Sequence, residues 1–117
     1  MGGKSFKNIS NFLKCNPGYG FGAVFTDVDN DNDLDIYLVN DFGENNEPNQ
    51  ILINKYPKLD FENKSKELKL NVGLKSMGVG VGDYNNDSYL DYHVTNIFAG
   101  PFMVNSCLLY ASDAADE

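Results

Sequence analysis

Asp27-Val28-Asp29-Asn30-Asp31-Asn32-Asp33-Leu34-Asp35 carries a carboxylate at every second position. Like charges that close repel and raise one another's pKa values, so the run either splays into water or holds a cation. Helix periodicity is absent, and the flanks alternate like strands: Phe21 to Thr26 before the run, Ile36-Tyr37-Leu38-Val39 after it. The stretch reads as a tight loop between two β-strands, with its oxygens turned inward on a hard metal ion.

A second copy follows 56 residues later, as Asp83-Tyr84-Asn85-Asn86-Asp87-Ser88-Tyr89-Leu90-Asp91. Asp recurs at the first, fifth and ninth places, Leu34 recurs as Leu90 and Asn40 as Asn96. At the same offset Asn49-Gln50-Ile51-Leu52-Ile53 returns as Asn105-Ser106-Cys107-Leu108-Leu109. A fixed period of this length marks a propeller or array unit. The bland alternative, two metal-free Asp/Asn-rich turns, explains one copy better than two in register.

In the first loop the expected donors are the side chains of Asp27, Asp29 and Asp31, the backbone carbonyl of Asp33, and the closing carboxylate of Asp35. In the second they are Asp83, Asn85, Asp87, the carbonyl of Tyr89, and Asp91. An all-oxygen shell of this kind selects Ca²⁺ over Zn²⁺, and Mg²⁺ prefers a tighter octahedron with retained water. Two Ca²⁺ sites are therefore expected. An EF-hand is excluded, because its twelfth loop position is Glu where Leu38 and Val94 stand, and its flanks are helical. The central turn uses Asn32 and Ser88 where glycine is usual. Asn tolerates a left-handed backbone better than Ser, and Asn85 removes one carboxylate, so the first site is expected to bind Ca²⁺ more tightly.

The 117 residues allow one modest domain. Plentiful Tyr, Phe, Val and Ile, with frequent Gly and Asn, suit short strands joined by turns. A formal net charge of −8 argues against nucleic acid or an anionic membrane as partner. All nine basic residues are Lys, so no bidentate arginine clamp for phosphate exists. No apolar run has membrane-spanning length, no signal-peptide core follows Met1, and the Met1-Gly2 opening lacks the hydroxyl residue of a myristoylation site. Gly18-x-Gly20-x-x-Ala23 formally fits a dinucleotide fingerprint, but five Asp residues follow it and would repel phosphate. Cys15 and Cys107 occupy non-equivalent repeat positions; Cys107 replaces Ile51 and reads as a small buried apolar residue. Whether the two pair is left open by sequence.

The fold class expected is all-β, with two four-stranded antiparallel propeller-type blades. Residues 1–19 form a displaced outer strand (4–10) and linker, 20–76 a first repeat, and 77–117 a second repeat with an acidic, frayed tail. Strands are expected over 18–25, 36–40, 50–55, 59–63, 77–83, 89–96 and 103–110, with 64–73 as a connection. Glycines alternating through Gly18–Gly22 and Gly78–Gly82 suggest close approach of another backbone, as around a propeller axis.

The chain resembles the FG-GAP/VCBS repeat family, which includes the integrin α-subunit propeller, and within it the branch of cartilage acidic proteins and ASPIC/UnbV-type bacterial proteins. The likeness is carried by Phe21-Gly22-Ala23, Asp27-x-Asp29-x-Asp31-x-x-Leu34-Asp35, Gly82-Asp83-Tyr84-Asn85-Asn86-Asp87 and Asn49-x-x-Leu52-x-Asn54. The absent loop glycines, and Tyr110 where the repeat has Asn54, depart from the pattern. The resemblance implies four-stranded blades, Ca²⁺ between each blade's first two strands, an extracellular or cell-surface setting, and adhesion or recognition of a protein or glycan. Two blades cannot close a ring, so the chain is part of a larger propeller or a protomer of a homo-oligomer, its N-terminal strand completing a neighbour's blade.

No enzyme is expected. Carboxylates saturated by metal are poor proton shuttles, no Ser-His-Asp or Cys-His set is present, and His93, the single histidine, reads as a strand residue aligned with Tyr37. The alternatives are a scaffold segment or a non-catalytic part of a secreted polysaccharide-acting enzyme. Asp41 to Glu47 and the equivalent Ile97 to Gly100 are the expected partner loops.

Overall fold

β-branched and aromatic residues alternating with small ones build the strands, and Asp/Asn/Gly-rich segments reverse the chain between them. The computed structural model describes residues 3–97 and, for the backbone, 105–110. A single helical turn, α1 (Ser10–Leu13), precedes seven strands: β1 (Tyr19–Thr26), β2 (Asp35–Asp41), β3 (Gln50–Asn54), β4 (Phe61–Asn63), β5 (Ser76–Gly82), β6 (Asp91–Ile97) and β7 (Asn105–Tyr110). They form two all-antiparallel sheets, in the orders β1-β2-β3-β4 and β5-β6-β7.

The 56-residue period is written into the pairing. Ala23 opposes Leu38 and Phe25 opposes Ile36 in the first sheet, as Val79 opposes Val94 and Val81 opposes Tyr92 in the second. A register shift between Gly20 and Gly22 recurs between Ser76 and Gly78. Two stretches of different composition thus adopt one hairpin geometry.

The core lies between the sheets. Tyr37, Val39, Ile51 and Ile53 from the first sheet and Tyr92 and Val94 from the second are buried together with Leu70, and Val24, Val28, Val79, Val81 and Leu90 pack against them. The rings of Tyr37 and Tyr92 meet edge to face, 5.5 Å apart, a geometry that the ring quadrupoles favour. Burying tyrosine hydroxyls requires partners. Tyr37 donates to the Leu70 carbonyl at 3.1 Å, and Tyr92 shares a hydrogen bond of 2.9 Å with the Thr26 hydroxyl across the interface. At the end of the sheets away from the acidic turns, Asn49 donates to Ser76, which donates to Asn96, each at 2.9 Å.

Three expectations are corrected. Residues 4–10 form no strand: Phe6 is fully exposed, the chain turns through α1, and the segment returns along its own first sheet. Polar ties fix it there, with Lys14 on Asp60 and the Asn16 backbone N–H donating to Gln50. The first sheet is therefore complete without it, and the second has three strands among the described residues. Residues 64–73 do more than connect, because Leu70 enters the core and Ser65 receives the Ile51 N–H at 2.9 Å. Finally, the space beside Gly18, Gly80 and Gly82 is taken by side chains of their own hairpins. Asn40 lies against Gly18, and Tyr84 against Gly80 and Gly82. Backbone crowding occurs instead at Gly43 and Gly73, where a Cβ on either would stand 3.0 Å from the other's backbone. That contact lets the Gly43 N–H reach the Leu74 carbonyl and ties the β2–β3 turn to the segment leading into β5.

The disulfide question lies outside the described residues on one side: Cys15 is exposed with a free thiol, and the Cys107 side chain is among those not described. The tail beyond 110 and residues 98–104, where a turn is expected, are likewise outside them.

Candidate metal centre

Thr26 and Asp35 are the last paired residues of the β1–β2 hairpin, so residues 27–34 must reverse the chain. Asn30 and Asn32 do so with left-handed backbones, φ 59° and 70°, which Asn adopts at modest cost. Asp27 then organises the turn, its two carboxylate oxygens accepting the N–H groups of Asp31 at 3.1 Å and Asn32 at 3.0 Å. Asp31 accepts the N–H of Asp33 at 3.1 Å. Asp35, fully buried at the start of β2, accepts from Val28 and from Asn54, both at 2.8 Å. It thereby staples the turn to itself and to β3. Asn54 also donates its side chain to the Leu34 carbonyl.

This scaffold brings Asp27, Asp29 and Asp35 together, with one carboxylate oxygen of each within 4.8 Å of the others. Asp31 and Asp33 stand outside that trio, although the Asp31 charge reaches both Asp29 and Asp33. At Asp33 the notable group is the side chain: its Oδ1 is buried with no hydrogen-bond partner. Three convergent carboxylates, with no nitrogen or sulfur donor among them, and an orphaned buried oxygen in the same turn suit a hard divalent cation.

The electrostatics tell the same story. Burial pushes the Asp35 carboxyl from its ordinary 3.8 up to about 6, against the lowering effect of the Asn54 and Val28 N–H groups. Partial desolvation, then the neighbouring Asp31 charge, raise Asp29 and Asp33. Lys55 adjoins the loop, but its ammonium is 2.9 Å from Glu62, whose hydrogen bond is the main cause of its raised pKa. The cluster therefore holds its charge at a cost that a proton or a metal ion would relieve.

The second loop copies the backbone. Asn86 and Ser88 take the left-handed places at φ 65° and 73°. Asp83 accepts from Asp87 at 3.0 Å and Ser88 at 2.8 Å, Asp87 accepts from Tyr89 at 2.9 Å, and buried Asp91 accepts from Tyr84 at 2.9 Å. The chemistry differs at two of the expected ligand positions, where Asn85 replaces Asp29 and Tyr89 replaces Asp33. Asn85 donates its amide to Asp87 at 2.9 Å, so a hydrogen bond stands where the first loop has facing carboxylates. Asp83, Asn85 and Asp87 are exposed, and Tyr89 contributes its N–H to the turn.

The sequence reading missed Asn54 and Val28 as the groups that hold Asp35, because backbone donors leave no side-chain signature. Asn54 did carry a signal, as the last Asn of the Asn49-x-x-Leu52-x-Asn54 pattern.

A β-hairpin with an acidic, hydrogen-bonded turn, repeated in one chain, defines a class of acidic-turn β-repeats. The FG-GAP-like repeat model matches residues 27–94, more than half of the chain and spanning both acidic turns, and the chain belongs to that family. No match was found among curated proteins or among solved structures.

At the opposite end of the first hairpin a shallow cavity of about 640 Å³ is lined by Tyr19, Gly20, Phe21, Asp41, Phe42, Asn45 and Asn46. It includes much of the expected partner loop. Phe42 has φ 53°, and its ring meets Tyr19 edge-on and the Lys75 ammonium at 5.0 Å. The counterpart after Ile97 lies outside the described residues. His93, on β6, opposes Gly80 and is half-buried. Among the described residues no helix is long and apolar enough to cross a membrane.

Proposed function

We propose that this chain is a calcium-binding, non-enzymatic repeat module of a β-propeller, each sheet being one blade, and that it serves extracellular recognition or adhesion of a protein or glycan. The observation that carries the reading is the convergence of Asp27, Asp29 and Asp35, in a turn that also holds the orphaned Asp33 oxygen and whose backbone geometry is repeated at Asp83–Asp91. Ca²⁺ is the ion this oxygen set suits, bound in both loops. Its role is structural: it cancels repulsion within a turn that joins two core strands, so its binding free energy adds to folding free energy. Partner binding is assigned to loops on the rigid sheets, foremost the Asp41–Glu47 turn with its aromatic cavity.

Thermal unfolding in millimolar CaCl₂, in MgCl₂ and in chelator tests the metal reading. Calcium is expected to raise the Tm well above the chelated value, and Mg²⁺ to do so much less. Equal melting temperatures in all three would remove calcium from the account.

A further inference from the structure

We propose that the outward face of the first sheet, centred on Phe25, is an interface for a second copy of this chain, docked head to tail through the outward face of that copy's β5–β6 hairpin. The proposal rests on reading the two sheets as successive repeat units, and it does not depend on calcium.

The second sheet packs on the first through Val79, Val81, Tyr92 and Val94. The first sheet meets it with Val24, Tyr37 and Val39. At an offset of 56 residues the covered set of the second sheet corresponds to Ala23, Phe25, Ile36 and Leu38 of the first. These four form the same two cross-strand pairs, on the face turned away from the core. There Phe25 is 70% exposed and the neighbouring Phe21 57% exposed. The contact between the units is therefore heterologous: two different faces of one repeat unit meet, and no described residue covers the first unit's copy of one of them. What covers that face in the second unit is a repeat unit, so the occupant argued for here is another repeat unit.

The face of the second sheet turned away from the core, uncovered among the described residues, supplies it. Gly80, His93 and Thr95 correspond there to Val24, Tyr37 and Val39. The side-chain exchanges are complementary across the two junctions. Phe25 stands where the internal junction has Val81, and Gly80 stands where it has Val24, so added bulk on one side meets removed bulk on the other. The polar pair changes together as well: Tyr92 and Thr26, which share a buried hydrogen bond, correspond to Ile36 and Gly82, neither with a polar side chain. The second junction thus lacks that buried pair, and its polar groups are instead Thr95, whose hydroxyl lies 3.4 Å from the Gly78 carbonyl, and His93.

Sedimentation velocity and light scattering on the whole chain, with Phe25→Glu and Thr95→Glu variants, test this. Both positions are exposed, so each variant is expected to melt as the wild type does. Wild type is expected at a multiple of the one-chain mass, and each variant at the mass of one chain. An equimolar mixture of the two variants keeps one intact face on each partner and is expected to give a species of two chains. A wild type that stays at one-chain mass up to its solubility limit overturns the proposal, and so does a Phe25→Glu variant that assembles like wild type. A mixture that remains at one-chain mass overturns the head-to-tail arrangement. Calcium separates the two claims: a one-chain species whose Tm still rises with calcium loses the interface alone, whereas assembly without any calcium effect on Tm loses the metal reading alone.

Discussion

Asp35 concentrates the energetics of the first loop in one side chain. It is fully buried, bonded to two backbone N–H groups, and its carboxyl titrates near 6 instead of 3.8. A carboxyl whose folded pKa is raised contributes stability that is present below its unfolded pKa and is lost as pH rises through the folded value. The gap corresponds to on the order of 3 kcal/mol. Asp29 and Asp33 shift the same way. Asp60 and Glu62 shift oppositely through their lysine partners, but these are surface ion pairs of small worth. The calcium-free protein is therefore expected to gain Tm as pH falls from 7 toward 5. With calcium saturating, the ionised forms are the bound ones, and Tm is expected to fall over the same interval. Two melting series that cross confirm this; parallel series refute it.

The two acidic turns are one element in two chemical versions, which differ at Asp29/Asn85 and Asp33/Tyr89, and exchanging the first of these tests its share. Asp29→Asn imports the amide that in the second loop bonds Asp87. It is expected to raise Tm in chelator, by relieving repulsion, and to weaken calcium binding about tenfold or more, as loss of a charged ligand does to affinities that scale with ligand charge. Asn85→Asp is expected to do the reverse. In the wild type the first loop is expected to be the tighter site by calorimetry; equal affinities would mean that the Asn85–Asp87 bond is surrendered to the ion without cost. The turns themselves were legible in the sequence, because alternating carboxylates flanked by alternating apolar residues admit few other structures. The Asp27 bonds to Asp31 and Asn32 follow from that local geometry. The N-terminal strand was misread because Phe6 and Ile9 look like strand anchors only if an edge is free to pair with them, and the structure leaves Phe6 wholly in solvent.

For the molecule as a whole, the junction between the sheets decides stability, and the Thr26–Tyr92 bond is its polar test. Tyr92→Phe leaves the Thr26 hydroxyl buried and alone, which is expected to cost about 1–3 kcal/mol. Adding Thr26→Val removes the orphan and is expected to restore part of that loss, a coupling measurable by a denaturant double-mutant cycle. Additive losses would mean that the two hydroxyls do not meet across the sheets. Truncating Ile51→Ala in the same core is expected to cost about 2–5 kcal/mol through the cavity left behind.

The sequence by itself determined the β class, the period of 56, the two acidic turns and the family, because each is a local pattern of side-chain type and spacing. Only the tertiary structure decided which three of five carboxylates converge, that Leu70 belongs to the core, that the N-terminal segment returns to its own sheet, and which face of each unit is covered. Those outcomes depend on contacts between residues far apart in the chain. Asp35 reaches Asn54, Tyr37 reaches Leu70, and Thr26 reaches Tyr92, and no periodicity within a short window records where a distant donor or ring will lie.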